Sequence, residues 1–508
     1  MGTGISTINS LGLAGMQTAQ AGMANVATNV SGASVDGFHR REMHPLIASA
    51  STDPLVQGGT VVVDSIMRSF SSLISSQYQI NHAKLNQARS VNNASLIVDR
   101  MLVDESTGLT QVFNGFFTAA SDLSADPASG TARTAFATTA VELTDRIRNL
   151  ASTLEETRRQ ALFQMTGVVE AFNDKTQALS RVNVLIQGSS AGGKPLPSAD
   201  LLDERDRLVG EISDLMGVNL DVSDNGQATL RFDGLAIVEG GRSARLQTVK
   251  DVDGLPTGQI RIALPKDDTA RGEGMAFVAT LRGSGVVSGE FGGLMKYAEG
   301  AEAWLKSLDQ LALSFVKFGN PLETGSDAEV GQQWYSKNLT ETGELAPVGA
   351  FDDNGVFFPG MFRVDPGYEV SDQNGEIVDV VRTLRPSLTM RSNVSIGADV
   401  PWSQRSEADS AVDQSFVIKV SGGRSMLMRE WSDWVSGVSS DLSKWRAEEA
   451  SFTAVDKSLS DQREQISGVD LDEEATDLLR FQQIYQANSS VIQAAMRMFD
   501  TLLQATSR

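Results

Sequence analysis

The two ends of this chain constrain its fold more than any other feature of the sequence. Residues 1–35 contain no Asp, Glu, Lys or Arg, and residues 481–496 carry no charged side chain either. A helix without charged residues is poorly soluble alone, so each end is expected to bury its surface against a partner. The simplest partner for one end is the other end, followed by the same pair in a neighbouring subunit. This pattern favours a polymer-forming protein over an enzyme.

Both ends have the periodicity of amphipathic helices. Residues 5–30 and 471–506 place apolar side chains at alternating spacings of three and four. Asp470 is placed to cap the second helix, and about 36 residues would span about 54 Å, so this helix should project from the body. We predict an assembly interface formed by Ile5, Ile8, Met16, Met23, Val26, Val30, Ala475, Leu478, Tyr485, Ile492, Met496, Phe499 and Leu503.

Length and composition exclude several classes of protein. At 508 residues the chain is expected to form about three domains. A net charge of −21 argues against nucleic acid or an anionic membrane as partner. The absence of Cys excludes thiolate metal sites and Cys nucleophiles. No apolar run approaches the roughly 20 residues of a membrane span, and the first basic residue is Arg40, so no cleavable signal peptide is predicted.

Between the two ends, the hydrophobic period changes from helical to alternating and back again. Short alternating segments separated by Asn225-Gly226 and Asp233-Gly234 predict antiparallel strands with tight turns. We therefore predict an α+β multidomain fold. Its parts are a terminal helical polymerisation domain forming a coiled pair (1–36 and 468–508), a mainly helical core from both chain halves (37–187, 294–320 and 424–467), an inserted antiparallel β domain (188–293), and an irregular region that is a small β subdomain or an extension of the core (321–423).

Two motifs in a Gly-rich stretch resemble catalytic or binding loops, but each lacks a residue that its chemistry requires. Residues 188–194 have the glycine and lysine spacing of a phosphate-binding loop, but Pro195 stands where Ser or Thr would hold magnesium. Residues 188–192 match the nucleophile elbow of hydrolases, which requires a His downstream of the Ser. All three His residues lie upstream. We interpret this stretch as a flexible linker.

The charged residues elsewhere do not form a catalytic set. His39, beside Arg40 and Arg41, is interpreted as a surface residue. Asp203 and Asp206 alternate with arginines and are interpreted as a solvated helix face. The sequence therefore predicts no enzymatic activity, no metal site and no cofactor.

A set of short segments at both ends and in the middle of the chain forms a recognisable pattern. The segments are Leu13–Met16, 25–30, 37–40, 201–208, 217–219, 468–474, 478–488 and 499–503. Together they resemble the flagellar hook-associated protein 1 family. The C-terminal segments are specific to axial flagellar proteins, and residues 201–219 distinguish this family best from hook and rod proteins. His39 departs from the pattern, since the family commonly has Ser or Thr there.

The resemblance implies an architectural role in the bacterial flagellum, outside the cell. A member of this family would join the hook to the filament, assemble with itself as a ring or helix, and contact hook protein and the second hook–filament junction protein. It would be exported without a cleaved signal peptide, with a cytoplasmic chaperone on its C-terminal helix. The alternatives are another axial protein (hook, flagellin or the second junction protein), a secreted enzyme on flagellar-type ends, or a cytosolic coiled-coil adaptor.

Overall fold

The computed structural model describes the greater part of the chain. The described residues are 2–35, 37–49, 59–103, 108–190, 197–252, 254–265, 275–281, 287–319, 335–340, 344–347, 349–351, 357–359, 361–364, 368–371, 377–381, 385–402, 411–412 and 415–506.

Helices dominate this part of the chain, and their ends follow local sequence chemistry. The Ser198 side chain accepts a hydrogen bond from the Leu201 amide at the start of one helix, and Asp470 accepts the amides of Asp472 and Glu473 at the start of the last. The helices are α1 (Gly2–Gly32), α2 (Ser72–Val103), α3 (Leu109–Ala125), α4 (Gly130–Ser190), α5 (Ala199–Leu215), α6 (Gly289–Gly319), α7 (Pro386–Thr389), α8 (Ser415–Gly422), α9 (Arg424–Ser467) and α10 (Leu471–Thr506), with a 3₁₀ turn at Gly397–Asp399.

Antiparallel strands occupy three parts of the chain. Those before residue 282 are β1 (Arg41–Ser49), β2 (Gly59–Arg68), β3 (Asn219–Val222), β4 (Ala228–Phe232), β5 (Leu235–Glu239), β6 (Arg242–Ser243), β7 (Arg245–Lys250), β8 (Pro256–Pro265) and β9 (Met275–Leu281). Later strands are β10 (Tyr335–Leu339), β11 (Leu345–Pro347), β12 (Gly349–Phe351), β13 (Phe357–Pro359), β14 (Phe362–Arg363), β15 (Tyr368–Ser371), β16 (Ile377–Val381) and β17 (Arg391–Ser392).

The inserted β region contains a four-stranded sheet, β3-β4-β5-β6, and a three-stranded sheet, β7-β8-β9. Its turns use the predicted dipeptides. Asp233 and Gly234 both have positive φ, at 48° and 79°, as a tight hairpin turn requires. The antiparallel strands predicted on either side of Asn225-Gly226 and Asp233-Gly234 are confirmed as β3, β4 and β5.

The helical core is built from both halves of the chain. Phe113 of α3 stacks on Trp431 of α9, with ring centroids 5.3 Å apart, and Trp431 stacks on Trp434 at 5.2 Å. The indole of Trp434 donates to the Trp304 carbonyl of α6 at 2.9 Å. This cluster is buried, so neither half keeps its apolar surface covered without the other. The predicted α+β architecture, with paired terminal helices and an inserted antiparallel region, is confirmed.

A buried arginine docks residues 397–401 onto the start of α4. Arg133 donates to the carbonyls of Pro127 and Gly397 at 3.2 and 3.1 Å, and also to that of Val400. Its guanidinium lies 4.9 Å from the ring centre of Trp402. Burial lowers the pKa of Arg133 to about 10, so the side chain remains a cation at neutral pH. Among the described helices, none has the length and apolar character needed to cross a membrane.

Candidate assembly interface

Helices α1 and α10 run antiparallel in close contact, because glycines on α1 face large side chains on α10. A Cβ atom built on Gly12 would lie 2.7 Å from Cγ1 of Ile492, and one on Gly15 would lie 2.5 Å from Oδ1 of Asn488. Both distances are too short for a real Cβ contact. The glycines of α1, which have no side chains, therefore leave a recess into which side chains of α10 fit.

The contact repeats along both helices at a period of seven residues. We call it the inner seam. Its members are buried or half-buried, and the pattern is that of a two-helix coiled coil with small residues on one side. On α1 the inner seam consists of Gly12, Gly15, Ala19, Gly22, Val26 and Asn29, and on α10 of Glu474, Phe481, Asn488, Ile492 and Ala495.

The predicted interface residues divide between the inner seam and its surroundings. Val26 and Ile492 belong to the seam, while Ile8, Leu478 and Tyr485 are half-buried. The side chains of Ile5 and Leu503 lie outside the described residues. Phe499 is 49% exposed. The remaining five residues lie beside the seam on one side, which we call the open flank: Met16, Met23, Val30, Ala475 and Met496.

At the base of the helix pair, a buried carboxylate joins the two chain ends. Glu474 Oε1 accepts hydrogen bonds from Arg40 Nε at 2.9 Å and from Asn29 Nδ2 at 3.0 Å. Burial opposes the charge of Arg40, but hydrogen bonding to Glu474 and the nearby Glu473 raise the pKa of Arg40 above its ordinary value. Because Glu474 is 1% exposed, it depends on these partners for its charge to be tolerated there.

A second charged cluster ties the same region to α5. Asp203 Oδ1 lies 2.9 Å from His39 Nδ1 and 3.1 Å from Arg68 Nη1. Arg68 also pairs with Asp206 at 2.7 Å, and Asp206 accepts from Arg205 at 2.6 Å. His39 and Asp203 are 7% and 9% exposed, so the interpretation of His39 as a surface residue and of Asp203 as part of a solvated face is wrong.

The two clusters bring together three of the segments that carried the family resemblance. Residues 37–40 supply His39 and Arg40, residues 201–208 supply the aspartates, and residues 468–474 supply Glu474. The backbone completes the junction, because the Arg40 amide donates to the Ser467 carbonyl at 2.9 Å. These separate sequence motifs therefore form one structural junction, where the terminal helices meet α5 and α9.

The hairpin formed by β1 and β2 lies along α1 and was not predicted as a pair. Asn25 and Asn29 of α1 each donate from Nδ2 to the Arg41 carbonyl, at 2.7 and 3.0 Å. Further along, Thr18 Oγ1 donates to the Val61 carbonyl at 2.9 Å. A groove of about 640 Å³ separates the hairpin from α10, with α1 as its floor. The sequence signal for this contact was the pair Asn25 and Asn29, four residues apart on one face of α1.

No cluster of three or more His, Cys, Asp or Glu residues in the described part of the chain is arranged to hold a metal ion. The charged residues at the junction pair with one another across helices. Their arrangement is suited to fixing the orientation of the terminal helices, and this is the property that an assembling subunit needs.

Two models of protein families match parts of this chain. Residues 96–333 match the model of the flagellar hook-associated protein FlgK helical domain. Residues 462–505 match the model of the flagellar basal body rod FlgEFG protein C-terminal region.

Similar proteins align along nearly the whole chain. Flagellar hook-associated protein 1 of Escherichia coli strain K12 is 23% identical, and that of Salmonella typhimurium strain LT2 is 24% identical. Each alignment covers 98% of this chain and 100% of the relative. A solved structure of the flagellar hook junction protein FlgK from Burkholderia pseudomallei has a TM-score of 0.43 and 19% identity, covering 59% of this chain and 48% of that one.

Proposed function

Because the chain belongs to the flagellar hook-associated protein 1 family, we propose that it is the adaptor that joins the flagellar hook to the filament. It is a structural protein of the bacterial flagellum. The observation that carries the proposal is the inner seam, which pairs the two chain ends through Gly12, Gly15 and Gly22 against α10. A long helix pair with few charges is a module that can pack against identical modules without burying unpaired charge.

In the proposed assembly, residues 1–36 and 468–508 form the polymerisation domain. Residues 37–187, 294–320 and 424–467 form the helical core, and residues 188–293 form an outer β domain. The exposed apolar residues of the terminal helices support this division, because Val30 and Met496 are uncovered in the single chain. In this assembly, the interface residues predicted from the sequence hold the terminal helices together within and between subunits.

The proposed neighbours are further copies of the chain, the hook protein, and the second junction protein. Before export, a cytoplasmic chaperone would cover the C-terminal helix. The apolar residues of α10 support a chaperone, because Met496, Met498 and Phe499 are each about half exposed.

The alternative is another axial protein of the flagellum. The family model matching residues 462–505 is shared with rod proteins and supports any axial role. The model matching residues 96–333 describes the helical domain of hook-associated protein FlgK and favours the junction. The buried Asp203 and Asp206, within the segment that distinguishes this family, also favour it.

The test is electron microscopy of a deletion strain, together with an assay for flagellin in the medium. Bare hooks with flagellin shed into the medium are the expected result. Missing hooks would assign the protein to the hook or rod, and intact filaments would overturn the proposal.

Complementation then tests the terminal helices. A plasmid carrying Ile492→Asp should fail to restore filaments, because it places an unpaired charge in the inner seam. The control Val455→Asp, at a 45% exposed position of α9, should restore them. Equal complementation by both variants would contradict assembly through the inner seam.

A further inference from the structure

The two sides of the inner seam differ in what lies beside them. Leu11, Thr18 and Asn25, each one residue before a seam position, line the groove beside the hairpin. Met16 and Met23, each one residue after a seam position, belong to the open flank. Since successive helical residues are about 100° apart, these sets face opposite sides of the seam. The hairpin thus covers one side of the helix pair and leaves the open flank free.

The hairpin has an inner face toward the groove and an outer face away from it. Pro45 and Val61 line the groove on the inner face. Leu46 and Val62 are cross-strand partners, and their side chains point the other way because strand side chains alternate. Leu46 is 53% exposed and Val62 is 37% exposed. A two-stranded hairpin is marginally stable alone, so a covering for this outer face would also stabilise its strands.

The two surfaces match each other in chemistry. The open flank belongs to helices whose residues 2–35 and 481–496 carry no charge, and its exposed members include Val30 and Met496. The centre of the hairpin's outer face is the apolar pair Leu46 and Val62. Each surface therefore favours an uncharged partner, and the other surface on a second copy of this chain has that chemistry.

We propose that the outer face of the hairpin in one subunit packs on the open flank of the helix pair in the next. In such a heterologous contact, a row of subunits keeps a free hairpin face at one end and a free open flank at the other. Further subunits can therefore be added around a ring or along a helix. This inference rests on the proposed self-assembly and adds which surfaces meet. The open flank lies directly beside the inner seam. The hairpin of the neighbouring subunit would therefore pack against both α1 and α10.

The absence of native Cys makes the contact directly testable by cross-linking. One strain co-expresses Leu46→Cys and Met23→Cys variants of the full-length protein, and isolated flagella are treated with a short bismaleimide. The expected result is a covalent dimer that appears only when both variants are present. Val62→Cys with Val30→Cys provides a second pair at the same two surfaces. In the control, Val252→Cys, at a fully exposed position before β8, replaces Leu46→Cys and should give no dimer.

The outcomes separate this inference from the proposed function. Flagella that contain the variants but yield no dimer with either pair would overturn the hairpin contact and leave the junction role intact. A dimer formed by Leu46→Cys alone would also overturn it, because like surfaces would then meet. Absence of the wild-type protein from isolated flagella would overturn the proposed function, and the inference with it.

Discussion

Gly22 of α1 faces the ring of Phe481 of α10, and a Cβ atom at position 22 would lie 2.5 Å from the ring atom Cε1. Phe481 is 8% exposed, so its ring has little room to move away. The same relationship recurs seven residues away, where Gly15 faces Asn488. The spacing between α1 and α10 is therefore set by the absence of side chains on α1, and glycine has a steric role in a helix that it otherwise weakens.

Replacing Gly22 with Ala should weaken the pairing of α1 with α10. The clash with the buried ring is expected to cost up to about 3 kcal/mol, which outweighs the gain of about 1 kcal/mol from removing a helical glycine. Hydrogen exchange of α1 amides in the full-length protein measures the effect, and faster exchange is expected.

The matched control is Gly437→Ala in α9, where a Cβ atom would meet nothing within 4 Å. This variant should gain stability by up to about 1 kcal/mol. Gly437→Ala should slow the exchange of α9 amides. If Gly22→Ala likewise slowed the exchange of α1 amides, α1 and α10 would not be closely packed at the inner seam.

The pair formed by Arg40 and Glu474 should contribute strongly to holding the terminal helices on the body. Glu474→Ala leaves Arg40 with the exposed Glu473 and leaves Asn29 Nδ2 without this acceptor. Removing one partner of a buried ion pair typically costs about 3–5 kcal/mol. Urea unfolding of both single variants and the Arg40→Ala/Glu474→Ala double variant gives the coupling energy.

Asp477 and Arg480 provide the comparison within the same helix. Their ion pair, at 3.3 Å, is largely exposed on the arginine side, and a double-mutant cycle there should give about 0.5 kcal/mol or less. A coupling energy for Arg40 and Glu474 no larger than this would show that backbone hydrogen bonds and packing, and not this ion pair, hold the terminal helices on the body.

Acid should loosen the docking of residues 385–387 onto α6. Arg385 pairs with Glu302 and, at 3.3 Å, with Asp309. Burial opposes the charge of Glu302, but hydrogen bonding to Arg385 and its positive charge lower the pKa of Glu302 below its ordinary 4.5. Because the folded pKa is the lower one, this contribution is complete above pH 4.5 and is lost as pH falls through the folded pKa.

The variant Glu302→Gln should be less stable than wild type at pH 7, and the two stability curves should converge below pH 4.5. Urea denaturation across this pH range measures the difference. Glu170→Gln, at an exposed position of α4, controls for the loss of one carboxylate. If the difference in free energy of unfolding between wild type and Glu302→Gln were the same at every pH, ionisation of Glu302 would not be the cause of the acid sensitivity.

Local sequence chemistry predicted much of the fold. The helical periods at the two ends, the Asp470 cap and the turn at Asp233-Gly234 depend on residues near in the chain, and each is found where it was expected. The irregular region was harder to predict, because Arg133 holds residues 397–401 from more than 260 positions away. No local pattern records a partner at that distance.

The sequence by itself determined that the two ends are amphipathic helices with long uncharged stretches, residues 2–35 and 481–496, that require partners. Only the tertiary structure decided which stripe of each helix faces inward. Met16 and Met23 neighbour Gly15 and Gly22 in the chain, and apolar periodicity favoured the larger side chains. Close approach of two helices favours the smaller ones, because a backbone without side chains admits the partner's residues. The burial of Asp203 beside Arg68 was likewise decided by pairing across 135 positions, where opposite charges offset the loss of water.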